Sequence, residues 1–560
     1  MNRSLVLAKR LRAAAALAVL SLAVSGLAGA NTTPPLADND EAKQAMVDLE
    51  TKMNDSLQSG HAVPVWFDSD QKEPGHVVGA GGWGDSGLWT GVYLGGQAMR
   101  YSVAKKHLEA APQDEFWTAQ RDEALERVET ILAAEHRDIN IAEDWTGELK
   151  IPPTVNTTNP TGDRHQADWG GGVIHGERGM IMRSCTTTDL GSLGINPPTN
   201  DPENPINNNN NRVFEITWTS GDGGTYYCEA SPSRDTYAGL TFGLLTAFDL
   251  VGPDEPELQA QIAADLMAMG DFLVKYAWNY PRPHGYVSAD HDFDGFISPL
   301  FVYVPMARLN MANAARHVAE VAGSDTDKAK WNAVWAEEFS NQGPELGPSM
   351  EVDSVQPNDG YYKFNLHHLT GFNLLRTTTG VERDLIARAF AIMDKTTGDD
   401  INAHFEAITY SATGEQSRLD AAVTHLREWL DYRANIETGA PVNNSARCGI
   451  DLECVPEDQY DLDVEQAPGG SVTWFPGAPD APPLSESAKL RAARPLPVAQ
   501  RTPTDFLWQR PPTALDGQEW TRWREPGIDY LTPYWMIRYF TEVASPTGGS
   551  FPEWAGPAHL

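Results

Sequence analysis

Cysteine, positive charge and long apolar runs are all scarce in this chain of 560 residues. After the N-terminal segment, no apolar run approaches the roughly 20 residues of a membrane-spanning helix, so we expect no membrane span. The sequence also lacks a glycine-rich phosphate loop, a nucleophile elbow, a zinc-protease helix and a haem-attachment motif. The absence of these four motifs excludes most of the common classes of enzyme.

Acidic residues dominate the charge of the chain. There are 77 aspartates and glutamates against 42 lysines and arginines, which gives a formal net charge of −35. A charge this negative argues against binding to nucleic acid and to anionic membranes. It also agrees with the alternative that the charge simply keeps an exported protein in solution.

The N-terminal segment has the pattern of a secretory signal peptide. Four basic residues precede an apolar run over 13–24, and the small residues Ala28, Gly29 and Ala30 follow it. We therefore expect cleavage near Ala30, which would remove residues 1–30 and leave a secreted or periplasmic protein. Because this segment holds four basic and no acidic residues, its loss takes the formal net charge from −35 to −39.

The cysteines are Cys185, Cys228, Cys448 and Cys454. An even number in an exported protein predicts disulfides, since thiols oxidise outside the cytosol. We expect the pairs Cys185–Cys228 and Cys448–Cys454, each of which flanks a loop-like segment. Neither pair has the spacing of a zinc finger or a redox motif.

Helical patterns run through most of the mature chain. Six segments have a polar first turn and a mainly apolar body, which is typical of buried helices: 85–103, 233–251, 298–315, 361–377, 401–412 and 529–544. Six others are amphipathic with one polar face: 41–58, 114–135, 256–279, 325–341, 381–393 and 415–434. Six inner and six outer helices predict an all-α fold, an (α/α)6 toroid, in one domain over 41–544. A generic helical bundle or superhelix is the alternative.

Three inserts interrupt the helices, over 145–175, 186–232 and 436–528. The second contains a strand-like run over 212–219, and the third is rich in proline, alanine and aspartate. Loops this long in a compact domain often carry function. In a toroid they would surround one mouth of the barrel.

The helical pattern resembles that of the (α/α)6-toroid enzymes that act on carbohydrates, which include glycoside hydrolases and uronic-acid polysaccharide lyases. The resemblance covers most of 41–544 and lies in the architecture and in aromatic, carboxylate-bearing helix starts. It implies an oligo- or polysaccharide substrate bound where the inner helices begin. The residues that this would place at the cleft are Trp83, Asp85, Arg234, Asp235, Tyr237, His367, His368, His404, Asp529 and Tyr530.

Glycoside hydrolysis needs a general acid and a second carboxylate. We expect Asp235 and Glu177 to supply them, with Asp85 as the next candidate. Asp235 shares its helix start with Arg234 and Tyr237, which would position the substrate. The simpler interpretation of Asp85, Asp235 and Asp529 is that they cap or favour helix N-termini.

A polysaccharide lyase is the second hypothesis. A lyase removes the proton beside a uronate carboxyl, and His404 and Tyr237 would act as base and acid. His367, His368 and His404 could instead satisfy buried hydrogen bonds at helix starts. A third hypothesis is a non-catalytic, exported glycan-binding protein.

Tryptophans in predicted loops could stack on sugar rings, because indole offers an apolar face to the apolar face of a sugar. Trp83, Trp145 and Trp169 are the candidates. Packing in the core is the alternative for each of them.

The spacing of Asp290, Asp292, Asp294 and Gly295 matches the first part of a calcium loop. Position twelve of that loop is Phe301, so its usual bidentate glutamate is missing. We expect either a structural Ca²⁺ site or a plain acidic turn. The predicted chemistry itself requires no cofactor.

Overall fold

The computed structural model of this protein describes residues 36, 39–151, 154–158, 164–168, 172–187, 213–230, 232–284, 292–298, 304–355, 361–398, 400–437, 498, 501, 506–510 and 522–547. These residues are mostly helical with a few small sheets, which agrees with the predicted all-α class. None of the helices within these ranges is long and apolar enough to cross a membrane.

The helices follow the predicted order along the chain. They are α1 (Asp40–Ser56), α2 (Trp83–Ala110), α3 (Glu115–Asn140), α4 (Arg234–Leu250), α5 (Pro256–Lys275), α6 (Pro305–Ala322), α7 (Asp325–Gln342), α8 (Leu346–Val355), α9 (Tyr362–Thr377), α10 (Gly380–Thr397), α11 (Ala403–Thr413), α12 (Gln416–Glu437) and α13 (Ile528–Glu542). Each of the twelve predicted segments overlaps one of them, and α8 is additional.

Short strands lie between the helices. They are β1 (Leu57–Gln58), β2 (His61–Ala62), β3 (Val65–Phe67), β4 (Val77–Ala80), β5 (Glu148–Ile151), β6 (Thr154–Thr158), β7 (Arg164–Asp168), β8 (Gly172–His175), β9 (Ser184–Thr187), β10 (Val213–Thr217), β11 (Thr225–Glu229), β12 (Tyr280–His284), β13 (Asp292–Ser298) and β14 (Trp523–Arg524). They form the sheets β1-β2, β14-β3-β4, β12-β13-β5-β8, β6-β7 and β10-β11-β9. The insert over 145–175 therefore contains strands instead of the loop that we expected.

One predicted helix begins later than expected. The segment 298–315 was predicted to be helical throughout, but Ser298 ends strand β13 and α6 begins at Pro305. Strand β13 pairs with β12 and with β5, so its backbone hydrogen bonds go to the sheet. Pro305 is well suited to a first helical turn, where its missing N–H leaves no hydrogen bond unmade.

The same strand bears on the predicted calcium loop. Gly295 lies opposite Pro283 in the pairing of β13 with β12, so the backbone is extended where a calcium loop needs a turn. Asp292 and Asp294 are strand residues, and Asp290 lies outside the described residues. Because Asp290 is not described, the Ca²⁺ site stays a prediction.

Helices α2 and α4 approach each other unusually closely. A Cβ atom added to Gly91 would lie 2.2 Å from the carbonyl oxygen of Gly239, and one added to Gly239 would lie 2.3 Å from that of Leu88. Only glycine fits at these two positions. The first turns of α2 and α4 are thereby brought side by side.

The six helices from the buried segments contact one another in sequence. Helix α2 packs on α4, α4 on α6, α6 on α9, α9 on α11, α11 on α13, and α13 on α2. The amphipathic helices pack against them: α3 on α2, α5 on α4 and α6, α7 on α6, α10 on α9, α12 on α11, and α1 on α13. Helices α2 and α4 are neighbours in this series, and their first turns carry the predicted site residues Asp85 and Asp235.

One of the two predicted disulfides is formed. Cys185 and Cys228 lie opposite each other in strands β9 and β11 and are bonded. The strand predicted over 212–219 is also present, as β10. The pair Cys448–Cys454 and the signal peptide lie outside the described residues, as does most of the insert over 436–528.

Candidate functional site

Arg183 connects the disulfide-linked sheet to the start of helix α2. Its backbone N–H donates to the carbonyl of Glu229 at 2.6 Å, which fixes it beside strand β11. Its guanidinium donates through Nη2 to Oδ1 of Asp85 at 3.0 Å and through Nε to the carbonyl of Gly84. The ion pair is open to solvent on one side, since the Asp85 side chain is 35 % exposed.

Asp235 stands in the first turn of α4, next to Asp85. Ser233 caps this helix by accepting from the Thr236 N–H at 3.3 Å, and Thr236 Oγ1 accepts from the Ser233 N–H in return. Burial raises the pKa of Asp235 to about 6, and the negative charge of Asp85 adds to the effect. Arg234 and Arg183 oppose this shift without cancelling it.

Glu229 completes the group from strand β11, directly after Cys228. Its Oε1 atom is buried and accepts no hydrogen bond from any residue that the structure describes. Burial raises the pKa of Glu229 to about 7, Arg183 opposes the shift, and Asp85 adds to it. A buried carboxyl oxygen without a donor is best satisfied when the group carries a proton.

We call Asp85, Glu229 and Asp235, gathered around Arg183, the carboxylate cluster. Asp85 forms an ion pair with Arg183. The raised pKa values of Glu229 and Asp235 let each group release or take a proton near neutral pH. Acid–base cleavage of a glycosidic bond requires one protonated carboxyl group and one ionised carboxylate.

The structure does not bring Glu177 into this cluster. Glu177 forms an ion pair with Lys275 at the end of helix α5 and accepts from the Tyr276 hydroxyl at 2.7 Å. No hydrogen bond or ion pair between described residues links it to Asp235. Its described polar contacts are with Lys275 and Tyr276, so Glu177 lies outside the group formed by Asp85, Glu229 and Asp235.

The predicted histidines lie in the interior. His404 has no exposed surface, and its ring meets Phe506 edge-on at 5.5 Å. His368 is also fully buried, with its ring stacked on Phe405 at 3.9 Å, and His367 is 4 % exposed. Burial lowers the pKa values of His368 and His404 to about 3 in each case, so both rings are neutral at physiological pH.

Three other predicted substrate contacts are core residues. Tyr237 and Tyr530 are buried in α4 and α13, and the Tyr530 hydroxyl donates to the carbonyl of Ala42 at 3.2 Å. Asp529 is buried, and burial raises its pKa to about 6. These three side chains therefore pack in the core at the first turns of their helices. Arg234, by contrast, is half-buried and precedes Asp235 in the chain.

The predicted tryptophans differ in their surroundings. Trp83 is half-buried at the start of α2, with its ring edge-on to His61 at 6.1 Å. Trp145 is 6 % exposed, so its ring belongs to the core. Trp169 lies outside the described residues.

No group of three or more His, Cys, Asp or Glu side chains is arranged to hold a metal ion within the described ranges.

Sequence reasoning missed Arg183 and Glu229, although a signal for them was present. The predicted pair Cys185–Cys228 already implies that residues 183 and 229 are neighbours. Arg183 lies two residues before the first cysteine, and Glu229 directly follows the second. The prediction used the two cysteines but not the charged residues beside them.

No family model, no curated protein and no solved structure matches this chain. The assignment of the site therefore depends on its own geometry and electrostatics.

Proposed function

We propose that this protein is an exported enzyme that hydrolyses glycosidic bonds at the carboxylate cluster. The observation that carries the proposal is the presence of two carboxyl groups, with pKa values raised to about 6 and about 7, around one anion–arginine pair. Capping alone does not account for Glu229, which is a strand residue with a buried, unpartnered oxygen.

The environments of the carboxyl groups suggest separate roles. Glu229 has the higher pKa and is the proton donor to the leaving oxygen. Asp235 is the second carboxylate, which either attacks the sugar or activates water. Asp85 acts through its charge, which raises the pKa values of both groups, and it is paired with Arg183.

We propose an (α/α)6 toroid as the architecture around the cluster. The closed order of contacts α2-α4-α6-α9-α11-α13-α2 supports a ring of inner helices. The amphipathic helices that pack on this ring support an outer layer. In such an arrangement the first turns of α2 and α4 lie at the same end, where the resemblance implies a substrate cleft.

The lyase alternative has weaker support from the geometry. Its proposed base, His404, is fully buried, and its proposed acid, Tyr237, is 2 % exposed. Neither side chain reaches a surface where a polymer could bind.

Export agrees with two features of the chain. Cys185 and Cys228 are bonded, and disulfides persist outside the reducing cytosol. The N-terminal segment has the sequence pattern of a signal peptide.

The test compares three conservative variants in the full chain. Glu229→Gln and Asp235→Asn each remove a carboxyl of the cluster, and Glu177→Gln removes one outside it. We expect the first two to lose about a hundredfold or more in the release of reducing ends from a panel of glycans. Glu177→Gln should keep activity close to that of the parent.

Two results would contradict the proposal. One is that Glu229→Gln and Asp235→Asn hydrolyse the glycans as fast as Glu177→Gln does. The other is that the parent releases no reducing ends from any glycan. An ultraviolet-absorbing unsaturated product would favour a lyase instead.

A further inference from the structure

Trp66 differs from the other tryptophans in its exposure. It has 39 % of its surface exposed, whereas the other described tryptophans are buried or half-buried. A single exposed apolar side chain is common on a folded surface and is not evidence of a binding site by itself. The neighbours of Trp66 therefore decide what could bind there.

A small sheet holds this ring in place. Trp66 lies in strand β3 with its side chain outward, while Val65 and Phe67 on either side are buried. Trp523 in β14 lies opposite it, with ring centroids 4.0 Å apart and planes at 72°. Trp523 therefore supports the Trp66 ring on one side and leaves part of its surface exposed.

Gly81 brings the ring close to the backbone that leads to helix α2. A Cβ atom added to Gly81 would lie 2.5 Å from Cη2 of Trp66, so any side chain there would displace the ring. Asp85 is the fourth residue after Gly81, which limits their Cα atoms to at most about 15 Å apart. The backbone also turns between them, since the Asp85 N–H donates to the Gly82 carbonyl at 3.0 Å.

Charged and polar side chains stand beside the aromatic pair. Asp68 follows β3 and pairs with His76 at 3.1 Å, and Arg522 precedes β14 and pairs with Asp70 at 3.3 Å. All four side chains are about half exposed or more. Such groups can exchange hydrogen bonds with hydroxyls around the edge of a sugar ring, whereas an apolar partner would leave them desolvated.

We propose that Trp66, supported by Trp523, is a subsite that stacks on the apolar face of a pyranose ring in the substrate. Gly81, against which the Trp66 ring lies, is at most about 15 Å from Asp85 of the carboxylate cluster, so the subsite would hold a glycan unit away from the bond that is cleaved. The choice of a sugar as the ligand rests on the proposed function. The occupant is one unit of the same glycan chain, because this separation is within the span of a few linked pyranose units.

The test measures binding separately from turnover. Trp66→Ala and Val78→Ala are compared in the full chain carrying Asp235→Asn, by affinity electrophoresis on soluble neutral and acidic polysaccharides. Val78 is a matched control because it is exposed on the neighbouring strand β4 of the same sheet. Trp66→Ala should weaken binding to the recognised glycan about tenfold, the loss expected when a stacking contact of about 1.4 kcal/mol is removed.

Trp66→Phe keeps a stacking ring and should retain most of the binding, which separates loss of the contact from local unfolding. Val78→Ala should bind as the parent does. Equal binding by Trp66→Ala and Val78→Ala, or the absence of glycan binding by the parent, would overturn the subsite. If the parent protein binds glycan through Trp66 but releases no reducing ends, the subsite is supported and the proposed hydrolase activity is refuted.

Discussion

His404 should make the folded protein sensitive to acid. Its side chain has no exposed surface, and neither ring nitrogen has a hydrogen-bond partner among the described residues. Burial lowers its pKa from 6.5 to about 3. Between these two values the unfolded chain binds a proton at His404 and the folded chain does not. The stability from this group is therefore present above pH 6.5 and is lost as the pH falls below it.

The size of this effect follows from the two pKa values. With 6.5 in the unfolded chain and about 3 in the folded one, the free energy of unfolding should fall by about 2 kcal/mol between pH 7 and pH 5. Carboxyl groups with raised pKa values, such as Asp529, change stability in the opposite direction over the same range. The contribution of His404 is therefore measured as a difference between two proteins.

His404→Phe supplies that comparison. It keeps an aromatic ring against Phe506 and removes the titrating group. Urea unfolding at pH 7 and at pH 5, followed by tryptophan fluorescence, should show the parent losing about 2 kcal/mol more than the variant. Equal losses would refute the assignment. A folded His404→Phe should also keep hydrolytic activity, and a loss of turnover would favour the lyase role instead.

Three further predictions follow from single contacts. Gly239→Ala would place its Cβ atom 2.3 Å from the Leu88 carbonyl oxygen, so overpacking should cost about 1–3 kcal/mol and lower the thermal midpoint; an unchanged midpoint would contradict the close contact of α2 and α4. Cys185→Ala opens the disulfide that joins β9 to β11, so activity should fall, and treatment of the parent with a reductant should have the same effect. Asp85→Asn removes a charge that raises the pKa of Glu229, so the alkaline limb of the rate–pH profile should move to lower pH; an unmoved limb would exclude this coupling.

The helices were predictable because their signals are local. The polar first turn and apolar body of 233–251 predict a buried helix, and α4 is that helix. The start of α6 was not predictable in this way. Strand β13 forms because its backbone pairs with β5, which is more than 140 residues away in the chain.

The site was predictable only where it coincides with helix starts. Asp85 and Asp235 open buried helices, so their pattern identified them. Glu229 lies in a strand and joins the cluster through contacts made after folding. Conversely, Glu177 is paired with Lys275, 98 residues further along the chain, and no local pattern reports such a partner.

The proton-donor role of Glu229 is the central claim, and a change of leaving group tests it most directly. A nitrophenyl glycoside needs little protonation when its bond breaks, whereas the natural glycan needs a full proton. Glu229→Gln should therefore lose about a hundredfold or more in kcat/KM on the glycan and remain close to the parent on the nitrophenyl glycoside. Equal losses on both substrates, or no loss on either, would contradict the assignment of Glu229 as the acid.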